Sequence, residues 1–397
     1  MGNGISKNSS SLIPSGYSNE VYLAVDDKLV EKIGKLFGSV SCLFDHSAHD
    51  DNKYINGHCV VCVLMFIPIL VDREIKYIKF PVAFRLWKPT KTDINSSNDK
   101  LEKKKKKRSA KKKDKKMNDN SKLYVAKRIC EQIRSVVEPD RNIIILADAW
   151  YPKGPMRDFV VSNKNVGGVF NVRIDTAIYA LPVHESGKRG RPPKKGKKLS
   201  IDSDFGFIEV PNTEYKVAYC RGVTHLFGLD NEVLIVVTEK GQSRRLFICT
   251  DPGMITIGVH QISDSTAKAI GTTLPELICF CAYSFRWGIA VTFQETKSFW
   301  GLGEYKVRTV EGIERQVNIQ SVTYALLCLL PYVDNAFAAL RNLSIQERRY
   351  HVGMLIERQR FFADLVAKLK KDKNTAVIAD HCVRIARTQT EFAHLGS

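Results

Sequence analysis

Long apolar runs are missing from this 397-residue chain. No run approaches the ~18 consecutive apolar residues that a membrane helix needs, so no membrane partner is expected. The most apolar stretch, Cys59 to Leu70, is short and reads as a buried strand. No leader-like segment opens the sequence, and the ten cysteines lack the paired spacing of a secreted disulfide framework. Cys59 and Cys62 lie in a strand-like run, where a separation of three puts them on opposite faces. Cys279 and Cys281 lie in a helical pattern, and no second pair at zinc spacing accompanies either. The cysteines therefore read as buried thiols in a reducing compartment, and the chain is expected to be cytoplasmic. Acid is scarce as well: 42 Asp and Glu stand against 61 Lys and Arg, a net charge of +19.

The excess charge is concentrated. The segment 100–116 holds twelve Lys or Arg against Glu102 and Asp114, and 188–198 holds seven with no acid, so the two carry +17 of the +19. A basic globule would spread its charge; two basic arms on a nearly neutral body suit a polyanion partner. Solvated loops without a partner are the plain alternative. Arg189-Gly190-Arg191-Pro192 resembles an AT-hook, in which glycine lets the backbone enter the minor groove and the arginines suit its narrow A/T-rich form. A basic linker would carry the same residues. The lysine run has no interleaved aromatics and would contact phosphates without reading sequence.

The hydrophobic pattern sets the fold class. Val21–Val25, Asn56–Ile69 and Tyr77–Trp87 read as strands. Residues 89–121 have almost no apolar content and read as a disordered Lys-rich insertion. A helix capped by Ser121 follows, with Leu123, Ala126, Ile129, Ile133 and Val137 on one stripe. Ile143–Ala147 is a continuous apolar strand, then come a helix over Gly154–Asn163 and a strand over Gly168–Ile174. Short strands fill Phe207–Thr250, and from Leu274 the pattern is helical. The expected organisation is a tail over 1–18, a core over 19–183, a basic loop with a small β-rich insertion over 184–250, the second part of the core over 251–330 and a helical region over 331–397. Strands followed by strand–helix alternation give an α/β mixed sheet.

Two aspartates close apolar strands, Asp26 and Asp148. A carboxylate at a buried strand end must reach water, a cap or a metal, and hard divalent cations take oxygen ligands. Taken alone, each such aspartate is more often a turn or helix-cap residue. Asp27 is the fall-back for the first ligand, because neighbouring strand residues face opposite ways. In the helix beyond Leu274, Tyr283, Arg286, position 290 and Lys297 fall on one stripe. Such a stripe suits phosphate contact, although ordinary surface charges beside a core tyrosine would give the same pattern.

The stripe resembles the signature Y-x2-R-x3-E-x6-K of insertion-sequence DDE transposases, with Tyr283, Arg286 and Lys297 at its intervals. Arg286-Trp287-x-Ile289, Phe293-x-x-x-Lys297 and Gly301-Leu302-Gly303 are similar to that group as well. Ile144–Tyr151 resembles the block around the family's second aspartate and Val25-Asp26-Asp27 the block around the first. Phe44-Asp45-His46-Ser47 and Tyr54-x-x-Gly57-His58 extend the likeness, which spans about 20–330. The resemblance implies an RNase H-like fold with a β insertion. It also implies Asp26 and Asp148 as ligands of Mg²⁺ or Mn²⁺, and cleavage and strand transfer on double-stranded DNA, at transposon ends and target, by a homodimer on DNA. The family's third acid falls at Ala290. Glu295 is the nearby substitute, about 120° round the helix from Tyr283. Only 25 residues precede Asp26, fewer than the DNA-binding region that relatives carry there. The competing expectations are a transposase-derived DNA-binding protein without catalysis and, from another class, an RNase H-like nuclease of repair or RNA.

Overall fold

Twelve residues from Glu20 to Glu31 form β1, and their first six are fully buried because the strand is central. The computed structural model describes residues 20–34, 36–45, 54–88, 121–183, 192–369 and 384. The tail, the lysine run, His46, Ser47, Arg189 and Arg191 lie outside the described residues. The chain divides into two units, Met1–Val322 and Thr323–Ser397.

In the first unit, β2 (Ser41–Phe44), β3 (Tyr54–Val71) and β4 (Glu74–Trp87) are followed by α1 (Lys122–Val136), β5 (Asn142–Ala147), α2 (Gly154–Ser162) and β6 (Val166–Val172). β3 and β4 form a hairpin whose turn residues Asp72 and Arg73 both have positive φ, 52° and 67°, the conformation that matches strand twist in a two-residue turn. β3 pairs antiparallel with β1, while β5 pairs parallel with β1 and β6 parallel with β5. The central order is therefore β4-β3-β1-β5-β6. This is the RNase H-like mixed sheet expected from the sequence.

The sheet does not stop at β6. The strands β7 (Ile178–Tyr179), β8 (Ile208–Glu209), β9 (Tyr215–Thr224), β10 (Gly228–Lys240) and β11 (Ser243–Cys249) extend it in the order β6-β11-β10-β9-β7, with β8 on β9. The β-rich stretch expected as an insertion lies in the same sheet. Leu246–Cys249 pair with Val169–Val172 and cover backbone groups that would otherwise form an open edge. Alternation along a strand cannot reveal which edge it will join.

Side chains alternate across β1. Tyr22 and Ala24 face a core shared with Leu64, Phe66, Ile289 and Phe293, and Phe66 stacks on Phe285 at 5.1 Å. α1 packs on β3, β4 and α2. Its first turn is capped by Ser121, whose hydroxyl accepts from the amide of Tyr124. After α3 (Ser265–Thr273) the chain runs from Pro275 to Trp300 as short segments rather than one helix: 3-10 at Pro275–Leu277, one α turn at Ile278–Cys281, 3-10 at Ala282–Arg286, then α4 (Trp287–Trp300). By length and composition this run could cross a bilayer. Within it Leu277, Cys281, Ala282 and Ile289 are buried in the core, while Trp287 and Phe299 are exposed. Gly301, at φ 68°, ends α4 in the left-handed cap that favours glycine.

The helix α5 (Val310–Val333) leads into the second unit, which continues with a 3-10 stretch Asn335–Asn342 and α6 (Ile345–Leu369). Within that unit Arg348 donates to the carbonyls of Leu327, Cys328, Arg341 and Leu343; the Leu327 carbonyl lacks its usual helical donor because Pro331 has no N–H.

The tightest backbone approach is at Gly57, paired with Glu31 on one side and Ser41 on the other. A Cβ there would stand 2.2 Å from the carbonyl oxygen of Val30, so backbone must move. Gly57→Ala should lower stability by about 3 kcal/mol or more. Gly206→Ala, with nothing within 4 Å, should change it by less than about 0.5 kcal/mol. Chemical denaturation of both variants checks this.

Candidate active site

Register brings the two aspartates together. The last parallel pairs of β1 and β5 are Leu23 with Ile145 and Ala24 with Leu146. Two residues further, the same register sets Asp26 opposite Asp148. β5 ends at Ala147, whereas β1 continues to Glu31 paired only with β3. Asp26 is therefore not at the end of its strand, as expected from the sequence, but at the end of one strand's pairing with another. The longer β1–β3 ladder carries the backbone past it.

One guanidinium spans both carboxylates. Arg286 Nη2 lies 2.9 Å from Asp26 Oδ2 and 3.5 Å from Asp148 Oδ2. The two oxygens are thus at most about 6.4 Å apart, the two distances laid end to end. The side chains of Asp26 and Arg286 are 25% and 22% exposed, that of Asp148 42%, so the pair opens to solvent on the Asp148 side. Burial pushes the Asp26 carboxyl up to about 6; Arg286 opposes this, and Asp148 reinforces it. Burial works against the Arg286 charge, but Tyr283, Asp26 and Asp148 outweigh it and raise its pKa.

Asp27 points to the opposite face of β1. Its carboxylate takes Lys122 Nζ at 2.7 Å, the Tyr151 hydroxyl at 3.1 Å and the Cys59 thiol at 3.2 Å. Three donors from α1, from the loop after β5 and from β3 converge on it, so Asp27 ties these elements to β1. Neither Lys122 nor Tyr151 was singled out in the sequence, although Tyr151 stands three residues beyond Asp148.

Tyr283 and Arg286 lie in the 3-10 stretch, where a separation of three is a full turn and superposes them. Tyr283 packs edge to face on Phe247 at 5.1 Å, and burial pushes its hydroxyl up to about 12. The charge of Arg245 on β11 also reaches that hydroxyl; no sequence signal pointed to this arginine. Ala290 is exposed on α4 one turn beyond Arg286, and Lys297 is exposed further along. Glu295, five residues past Ala290, is about 140° round α4 from it.

The donor set can be tested against a metal. Asp26 and Asp148 direct carboxylate oxygens at one point, where a cationic side chain already lies between them. Such oxygens suit a hard divalent ion, so the two residues fit one Mg²⁺ or Mn²⁺. Among the described residues no group of three or more His, Cys, Asp or Glu forms a metal cluster.

The raised Asp26 pKa has a stability consequence. A carboxyl at about 6 in the fold, against an ordinary 3.8, binds its proton more tightly folded than unfolded. Its contribution is full below pH ~4 and is lost as pH rises through about 6. In chelator-treated protein, Asp26→Asn should therefore be more stable than the parent above pH 6, by at most roughly 2–3 kcal/mol. The difference should vanish near pH 4. Melting curves across pH 4–8 check this; parallel profiles would contradict it.

The family described as DDE superfamily endonuclease matches residues 12–217. The matched segment includes Asp26 and Asp148 and ends before Tyr283. No curated protein matches the chain. With half the chain matched, over the strands that bring the two aspartates together, this protein belongs to the DDE superfamily of endonucleases.

Proposed function

We propose that the chain is a DNA transposase that binds the ends of a mobile element, cuts the phosphodiester backbone and transfers the cut strand to a target. The observation that carries this reading is the carboxylate pair, Asp26 and Asp148, set at one register position of two parallel strands and spanned by Arg286. In this reading Asp26 and Asp148 hold a Mg²⁺ or Mn²⁺ ion, which when bound activates the attacking oxygen and stabilises the leaving one. Asp27 holds the first turn of α1 and the loop after Asp148, and so fixes the direction of both ligands. The phosphate backbone is met by Arg286, Lys297 and the solvent-facing edge at Arg245, with Tyr283 behind them as an apolar support. The arms at 100–116 and 188–198 add affinity that falls with salt, and Arg189 and Arg191 lean it toward A/T-rich duplex. Two element ends call for two protomers on DNA, and the work is assigned to the cytoplasm.

One observation favours a second reading, a transposase-derived DNA-binding protein without catalysis. Ala290 offers no oxygen where the family signature has Glu, and Glu295 sits well round the helix. Removing one group that stabilises the transition state typically costs on the order of 10²–10³-fold in rate. Alanine at 290 leaves the helix intact, so binding survives while cleavage suffers.

Nicking of supercoiled plasmid in Mg²⁺ or Mn²⁺ separates the two. The protein with Ala290 should cut very weakly, and Ala290→Glu should raise nicking about 100-fold or more, with DNA affinity unchanged. If Ala290→Glu stays inert while still binding duplex, the DNA-binding reading holds. Strong cutting by the parent that Glu295→Gln abolishes would make Glu295 the third acid.

A further inference from the structure

Arg286 sits in an arrangement that a structural salt bridge would not choose. One of its terminal nitrogens serves both carboxylates, while its Nε is buried with no hydrogen-bond partner. A buried donor left unmade is costly, so the guanidinium is only partly satisfied at this position. It also stands beside the solvent-open side of the site. Trp287, the next residue, is 74% exposed, Ala290 one turn on is exposed, and Asp148 is the more open of the two acids. A phosphate approaching there offers a better partner, because a planar guanidinium can meet two of its oxygens at once.

We infer that Arg286 couples DNA binding to metal loading. The inference rests on the reading of Asp26 and Asp148 as metal ligands. Without DNA, the guanidinium holds the oxygens that a divalent ion needs, and two cations cannot share them at a few ångströms without repulsion. When a backbone phosphate takes the guanidinium, Asp26 and Asp148 are released to bind the ion. The enzyme then holds metal tightly only where DNA is in place, which limits stray hydrolysis. Coupling of this kind is reciprocal, so the ion strengthens DNA binding by the same factor by which DNA strengthens ion binding. Arg286 is in this sense a positioning residue, acting on the ligands rather than on the reacting atoms.

The test measures Mn²⁺ affinity by electron paramagnetic resonance on the full chain, with and without a duplex oligonucleotide. The Asp26→Asn complex serves as the blank for ions held by DNA itself. In the parent protein, duplex should tighten Mn²⁺ binding roughly 5–150-fold, the usual size of a coupling between two ligands. Arg286→Gln should bind Mn²⁺ without DNA about as tightly as the parent does with it, and should show no gain from DNA. Arg286→Lys keeps a charge but not the two-pronged geometry and should lie between; circular dichroism confirms that each variant is folded. Equal Mn²⁺ affinity in parent and Arg286→Gln, unmoved by DNA in both, would overturn the coupling and leave the metal site standing. Absence of Asp26-dependent Mn²⁺ binding in every version would overturn the metal assignment, and the coupling with it.

Discussion

Everything at the candidate site depends on β1 and β5 parting company. As far as Ala24 and Leu146 the two strands are locked in parallel register. Two residues later each presents an aspartate, and β5 has already ended. Had the ladder continued, Asp148 would be another sheet residue with its backbone paired and its direction set by the pleat. The shared register already sets both acids on one face; because the ladder stops, Asp148 is also the more open to solvent. Two negative charges in a partly dehydrated place then need a cation. In this structure the cation is Arg286; in the proposed reaction it is a divalent ion.

The surroundings show how that demand is kept separate from ordinary structural charge. Glu20, also on β1, is buried, yet its carboxylate is met by Tyr22 and by the amide and hydroxyl of Thr256. Asp27 is likewise saturated, by Lys122, Tyr151 and Cys59. Asp26 differs: it accepts from the amide of Asp27 and pairs with a guanidinium shared with a second acid, and its pKa stays high. Three acids on one strand thus have three fates, set by what the facing elements supply. A site able to exchange its counter-ion is the one whose donors are incomplete.

Much of this was legible in the sequence, and the reasons are local. The runs ending at Val25 and Ala147 are apolar because the strands are central, so the polar residue after each was conspicuous. Ser121 announced the start of α1, and Leu123, Ala126, Ile129 and Ile133 of its expected stripe form the buried face, whereas Val137 falls at the C-cap, outside the helix. The spacing of Tyr283 and Arg286 survived a change of helix type, since a separation of three is close to one turn in either. What could not be read depended on distant partners. β9 to β11 alternate like any half-buried strands, and nothing in them names β6 as the edge they extend. The continuation of β1 beyond Asp26 was hidden because its last residues, paired on one side only, are more polar. The division of labour between Asp26 and Asp27 follows from which face each takes, and adjacent identical residues carry no mark of that.

The proposed reaction requires Asp26 and Asp148 to be ligands of one ion. Crystals of the protein with duplex DNA, soaked in Mn²⁺ and recorded at an energy where manganese scatters anomalously, test this directly. An anomalous peak is expected within about 2.5 Å of carboxylate oxygens of both residues, with Arg286 moved onto a phosphate. A peak bound elsewhere, with Arg286 still spanning the two acids, would contradict it.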